Sequence, residues 1–404
     1  MRLYDTLSRR KRDFRPLKGN TVRIYTCGPS VYSYSHIGNF RTYLFEDVLV
    51  RYLRFKGYGV KRVMNITDVE DKAIIAARKE GVTLAALQKD KIRRFFADFD
   101  YLGMLRPDVV AKASGHVPDM IGLVTRICRN GYCLKGDGNV YFNVRKFRRY
   151  GRLARLAKRA YFGRAKGDDY VKEGLWDFIL WKGWTRGDGG VKWHSPFGDG
   201  RPGWHIECSA MSMRYLGETF DIHCGGTDNI FPHHENEIAQ GYAAAGRLPA
   251  RFWLHAKHLT VNRKKMSKRT GNVLYVVQLA KEEIHPKCLR FYLISERYRH
   301  PLDFTWAWFM QETCHCEHAE KLLAALHKVK GPGDGRRGQA IARRMLDGFE
   351  GAMDDDLNTK LAFKRIFTIF RNVDALLKAG KLTANDANAI IAAMKKINSV
   401  LGVF

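Results

Sequence analysis

Two thiols, an imidazole and a carboxylate stand in settings that suit a soft metal ion. Cys27 closes an apolar run and precedes Gly28-Pro29, and Cys208 sits in Arg201-Pro-Gly-Trp-His-Ile-Glu-Cys-Ser-Ala-Met211. His233 and Glu237 are four apart, so a helix there would put both side chains on one face. Together the four make a zinc-type donor set, although only a fold can gather residues so scattered. The run His233-His234-Glu235-Asn236-Glu237 lacks the second histidine of a zinc-protease HExxH, which argues against that chemistry.

Two further segments could handle phosphate. In His36-Ile37-Gly38-Asn39, a histidine and an asparagine bracket a glycine at an expected helix start. There Gly38 permits close backbone approach, and the helix N-terminus favours negative charge. In Lys265-Met266-Ser267-Lys268-Arg269, two lysines three apart flank a hydroxyl and could neutralise a triphosphate as pyrophosphate departs. Each segment by itself is weak evidence, since a loop histidine and a solvated basic hairpin are common.

The elements that must position these groups read as an α/β protein. Val22–Cys27 is strand-like and ends at a Gly-Pro breaker. A helix from near His36 carries Leu44, Val48 and Tyr52 at intervals of four, Gly57 stops it, and Val60–Ile66 is the next strand. Such a βαβ unit binds ligands at the carboxyl ends of its strands. A second half resumes near Gly203, with a strand before Gly225-Gly226, a helix from Pro232 to about Ala245, and a strand from Trp253 to Val261. After about residue 306, stretches such as Glu317–Lys328, Gly338–Met353 and Leu361–Ala379 suggest a helical bundle, with Lys330–Gly335 as a loop and Asp354-Asp-Asp356 starting a helix. The expected division is therefore 1–111 and 201–262 as two halves of a parallel-sheet domain, 112–200 as an insertion, 263–305 as a loop and stem-contact region, and 306–404 as the bundle.

Composition narrows the function. The net charge of +29 favours a polyanionic partner, nucleic acid above all. Arg145–Lys166 holds ten basic residues and no acidic one, interleaved with Phe147, Tyr150, Tyr161 and Phe162. No run of about 18 apolar residues argues for a membrane span. Eight scattered cysteines do not read as a disulfide framework, which fits a reducing cytoplasm. Cys314-His-Cys316 lacks a matching second pair and reads as helix surface.

In order, CGPSVYSYSHIGN, NITDVEDK, GRPGWHIECSAMS, DIHCGGTDNIFPHHENEIAQ and KKMSKRTGN closely resemble the cysteinyl-tRNA synthetases, class I enzymes with a Rossmann catalytic domain. The resemblance runs from Leu3 to Thr359. It implies Cys27, Cys208, His233 and Glu237 as ligands of one zinc that binds the substrate thiolate. It places His36 and Asn39 in the HIGH-type signature and Lys265, Met266, Ser267, Lys268 and Arg269 in the KMSKS loop, with Lys268 the key ATP contact. Gly38, Gly225, Gly226 and Asp228 would lie beside the nucleotide, Asp228 also beside the amino-acid ammonium. Gly28, Thr67 and Trp204 would line the cysteine pocket. The implied activity is ATP-dependent formation of cysteinyl-adenylate, with magnesium accompanying ATP, then transfer to tRNA(Cys) by a cytoplasmic monomer. Ser30 stands for the usual threonine and Arg269 for the final serine. The family's C-terminal anticodon-recognition tail is expected to be missing after Val400–Phe404. That expectation leaves open a cysteine ligase acting on an amino sugar, as in mycothiol synthesis, and a non-catalytic RNA-binding paralogue.

Overall fold

A short antiparallel hairpin, β1 (Arg2–Asp5) and β2 (Arg10–Asp13), precedes the main sheet. The structure is a computed structural model that describes residues 1–156, 176–266 and 271–404. Apolar Val22, Ile24 and Tyr25 bury β3 (Thr21–Thr26), which leads into α1 (Ile37–Phe55) with Leu44, Val48 and Tyr52 in the core. β4 (Gly59–Ile66) then pairs parallel with β3, from Thr21 beside Gly59 to Thr26 beside Met64. This is the βαβ unit that the periodicity predicts. α2 (Asp71–Glu80) and α3 (Leu84–Tyr101) lead to β5 (Val109–Lys112), and α4 (Val117–Arg129) follows.

A separate antiparallel sheet, in strand order, holds β6 (Cys133–Gly136), β7 (Asn139–Phe142), β8 (Phe178–Gly183) and β9 (Gly200–Pro202). Cys128 and Cys133 are joined by a disulfide across the turn between α4 and β6. Scattered cysteines had given no sign of it, because so local a cross-link needs no framework pattern.

The chain returns through α5 (Trp204–Leu216), β10 (Phe220–Gly226), α6 (Glu235–Ala245) and β11 (Ala250–Ala256). The main sheet has the order β11-β10-β3-β4-β5 and every pairing in it is parallel. Ile222 of β10 lies beside Ile24 of β3, and Cys224 beside Thr26. The order switches sides at β3, so the carboxyl ends of β3 and β10 flank a crevice of the kind that takes ligands.

Two expectations for this half need correction. Regular helix begins at Glu235 rather than Pro232, because Phe231 is extended (φ −140°, ψ 132°) and its bond to Pro232 is cis. The strand expected over Trp253–Val261 is two, β11 and β12 (Leu259–Val261), since the carbonyls of Lys257 and His258 both turn to the buried Arg41 guanidinium at 2.8 Å. β13 (Lys264–Lys265) folds back on β12. Then come α7 (Val276–Lys281), α8 (Pro286–Ile294) and β14 (Leu302–Phe304), which pairs with the other side of β12.

The bundle comprises α9 (Trp306–Leu326), α10 (Arg336–Met353), α11 (Thr359–Lys378) and α12 (Ala384–Leu401), the last not singled out from sequence. Asp354–Asp356 does not start a helix; it forms the turn between α10 and α11. There Asp356 accepts from Tyr4 N and Tyr298 Oη, both at 2.8 Å, and pairs with Arg299 at 2.5 Å. Cys316 is buried in the core while Cys314 is exposed, so only one of the pair lies on the helix surface. Buried Arg290 of α8 reaches Asp47 of α1 and the carbonyl of Leu401 at the end of α12, each at 2.6 Å. No helix among the described residues is long and apolar enough to cross a membrane.

Candidate active site

The loop after β3 is held from behind. Gly28 N donates to Asn65 Oδ1 at 2.8 Å, Thr67 N to Pro29 O at 3.1 Å and Val31 N to Thr67 O at 3.2 Å. A Cβ on Gly28 would stand 1.7 Å from the carbonyl oxygen of Asn65, so only glycine fits there. Thr67 is buried and braces the loop, rather than forming the wall of the cleft in front of it. That cleft, about 470 Å³, is lined by Cys27, Gly28, His36, Asn39, Trp204, Gly226 and Asp228 among others. Glu70 also borders it, and burial pushes its carboxyl up to about 7.

Four residues meet at its floor, where Cys27 lines the cleft and the other three stand buried behind it. Ligand atoms of Cys27, Cys208, His233 and Glu237 all lie within 4.8 Å of one another. They come from the end of β3, from α5, from the turn before α6 and from α6 itself. His233 Nε2 stands 3.4 Å from Cys208 Sγ and 3.1 Å from Glu237 Oε1, an oxygen that is buried without a hydrogen bond. The hydrogen bond from Cys27 and the neighbouring His233 hold the Cys208 thiol down at about 6, while the same bond pushes Cys27 up. Two thiols, an imidazole and an orphaned carboxylate oxygen converging on one point are what zinc coordination requires. The residues fit the ion.

A second donor set, Cys27, His223, His234 and Glu237, overlaps the first. It serves better as an orienting layer. His223 Nε2 lies 2.9 Å from Glu237 Oε2, His234 Nε2 lies 3.3 Å from Cys27 Sγ, and His255 Nε2 lies 2.8 Å from His234 Nδ1. Burial drives the pKa of His205, His234 and His255 well below the usual imidazole value, so these rings stay neutral and can orient neighbouring ligands. Trp204 stacks on His233 with ring centroids 4.6 Å apart. Sequence reading missed this imidazole layer; the one available signal was the alternation that sends His223 of β10 to the same side as Asp221.

The side expected to take phosphate is built on the start of α1. His36 Nδ1 accepts from Asn39 N at 3.3 Å and Asn39 Oδ1 accepts from His36 N at 3.0 Å, so the two residues cap the helix as well as lining the cleft. A Cβ on Gly38 would meet Met266 Cε at 2.5 Å, which shows how closely the lysine-rich loop approaches the helix. An adjoining smaller cleft of about 90 Å³ is lined by His36, Gly38, Asn39, Gly226, Asp228, Lys265 and Met266, and also by His258, which sequence reading did not select. Gly225 lies behind, its Cβ position 2.9 Å from His234. Ser267, Lys268 and Arg269, like part of the basic stretch Arg145–Lys166, lie outside the described residues.

Residues 13–314 match the family described as tRNA synthetases class I (C) catalytic domain, and residues 348–404 match a DALR domain. The chain is 42% identical to a cysteine–tRNA ligase of Chlamydia pneumoniae over 99% of its own length and 85% of the relative's. It belongs to the cysteine–tRNA ligase family. A Brachyspira hyodysenteriae cysteine–tRNA ligase is 39% identical over 99% of this chain and 86% of its own. The fold likeness reaches Mycobacterium tuberculosis methionyl-tRNA synthetase, with a TM-score of 0.71 at 17% identity, covering 95% of this chain and 90% of that one. The expected absence of a C-terminal recognition tail is not borne out. Helices α11 and α12, read as the end of a bundle, lie within the matched DALR domain.

Proposed function

We infer that this chain activates L-cysteine with ATP and transfers it to the 3′ end of tRNA(Cys), as a cytoplasmic cysteine–tRNA ligase. The observation that carries the reading is the Cys27, Cys208, His233 and Glu237 cluster, set at the floor of the cleft into which α1 points its N-terminus. These four residues would hold zinc. When bound, the ion would supply a soft Lewis acid that takes a thiolate in preference to a hydroxyl. Trp204, stacked on His233, closes the pocket around a small side chain, and Asp228 would receive the ammonium group.

Adenylate formation needs positioning and charge more than proton transfer. The cysteine carboxylate attacks the α-phosphate of ATP and pyrophosphate leaves. Gly38 admits the phosphates to the start of α1, His36 and Asn39 fix that terminus, and Lys265 with Lys268 would neutralise the departing charge, magnesium accompanying the nucleotide. A terminal ribose hydroxyl of tRNA then attacks the activated carbonyl and AMP leaves. The division at 1–111, 112–200, 201–262, 263–305 and 306–404 is proposed to separate catalysis, acceptor-end contact and tRNA docking.

Cysteine-dependent ATP–pyrophosphate exchange tests the first step, and charging of radiolabelled cysteine onto tRNA the second. Absence of exchange rejects the whole reading. Exchange without charging, but with consumption of an amino sugar, rejects tRNA as acceptor.

A further inference from the structure

The cleft has a rim that neither cysteine nor ATP accounts for. Tyr32, Tyr34 and Lys72 line the larger cleft but not the adjoining one beside Lys265. Tyr34 remains 41% exposed, although its hydroxyl donates to Asp90 Oδ2 at 2.6 Å and Lys91 Nζ lies 4.1 Å from its ring centroid. Lys72 Nζ stands 5.5 Å from the centroid of Tyr32. Two aromatic rings are thus held without being fully buried, each with an ammonium beside it, and Ser33 and Ser35 line the same cleft.

We propose that Tyr32, Tyr34 and Lys72 form a platform on which the unpaired nucleotides at the 3′ end of tRNA stack as they enter the cleft. The proposal rests on the tRNA-charging reading above. In the transfer step a ribose hydroxyl must reach a carbonyl at the cleft floor, so a single strand has to cross the rim. Fixed aromatic faces beside cations suit such a strand: the rings take any base, and Lys72 takes a phosphate. A small acceptor amine would need no such width. Lys91 is buried between Tyr34, Asp90 and Glu80, so its part is to set the angle of the ring rather than to bind.

The full chain bearing Tyr34→Ala, Lys72→Ala or both should keep cysteine-dependent pyrophosphate exchange within about twofold. Losing one stacking face and one phosphate contact should slow single-turnover transfer from preformed adenylate to intact tRNA about tenfold or more in the double variant. Tyr34→Phe, which keeps the ring, should restore most of the rate. The affinity difference between the double variant and the unsubstituted protein should vanish with tRNA trimmed of its unpaired 3′ nucleotides. Unchanged transfer in the double variant overturns the proposal. So does a fall in exchange parallel to that in transfer, or an affinity deficit that survives trimming. Failure of the unsubstituted protein to charge any tRNA, with exchange intact, instead removes the reading on which it rests.

Discussion

Cys208 is the residue on which the metal reading can be tested most sharply. Its thiol is already the more acidic of the pair, and Cys208→Ser replaces a soft donor by a hard one. The variant should lose most of its zinc by elemental analysis and show a raised KM for cysteine in pyrophosphate exchange. Full zinc content would reject the ligand set. His223→Ala, which removes the partner of Glu237 Oε2, should weaken zinc about 10–100-fold in a chelator competition, the usual cost of an orienting group. The four converging residues were legible because cysteine, histidine and carboxylate are conspicuous types and the motifs around them are long. The imidazole layer was not, because His205, His223, His234 and His255 are spread over three elements and the turn before α6, and look singly like core residues.

The two glycines at the mouth of the site give a contrast between elements. On Gly28 a methyl would strike the backbone of β4, which cannot retreat, so Gly28→Ala should yield unstable or insoluble protein. On Gly38 it would strike the tip of Met266, which can. Gly38→Ala should therefore fold, with a raised KM for ATP. The junction of α1 and α8 makes a second case. Burial alone would raise the Asp47 pKa, but Arg290, Arg51 and the Leu105 N–H outweigh it and hold the carboxyl below its usual range. Such a group adds stability that is complete above the unfolded value, about 3.9. That stability is lost as pH falls below this value towards the depressed folded one. Asp47→Asn should flatten this acid limb of the urea-unfolding midpoint, whereas Arg290→Ala should cost about 2–3 kcal/mol at neutral pH, because Asp47 keeps Arg51 and the Leu105 N–H but loses its fully buried partner. Helix α1 was legible because its apolar stripe and breakers agree. The start of α6 was misread because proline favours a first turn, whereas here it follows a cis bond and an extended Phe231.

Over the whole molecule, the excess of 29 positive charges predicts tRNA binding that weakens steeply with salt, roughly linearly in the logarithms. Filter binding at two ionic strengths would check it, and an affinity indifferent to salt would separate that charge from the RNA. The α/β class was legible because a βαβ unit declares itself locally. The strand order was not, since nothing near β3 says that its second neighbour is β10. Nor did composition reveal that residues 348–404 form a matched domain, because amphipathic helices look alike wherever they dock.

That remote pairing also governs when the site can exist. Strand β3 emerges early in synthesis, yet Ile24 waits for Ile222 and Cys27 for Cys208, His233 and Glu237. At ~5–20 residues per second, the intervening stretch of roughly 200 residues takes on the order of ten to forty seconds to make. Throughout that interval the nascent chain carries a half-sheet with an unpaired inner edge and a lone thiol, so an ion that needs all four residues would bind only once the two halves have met.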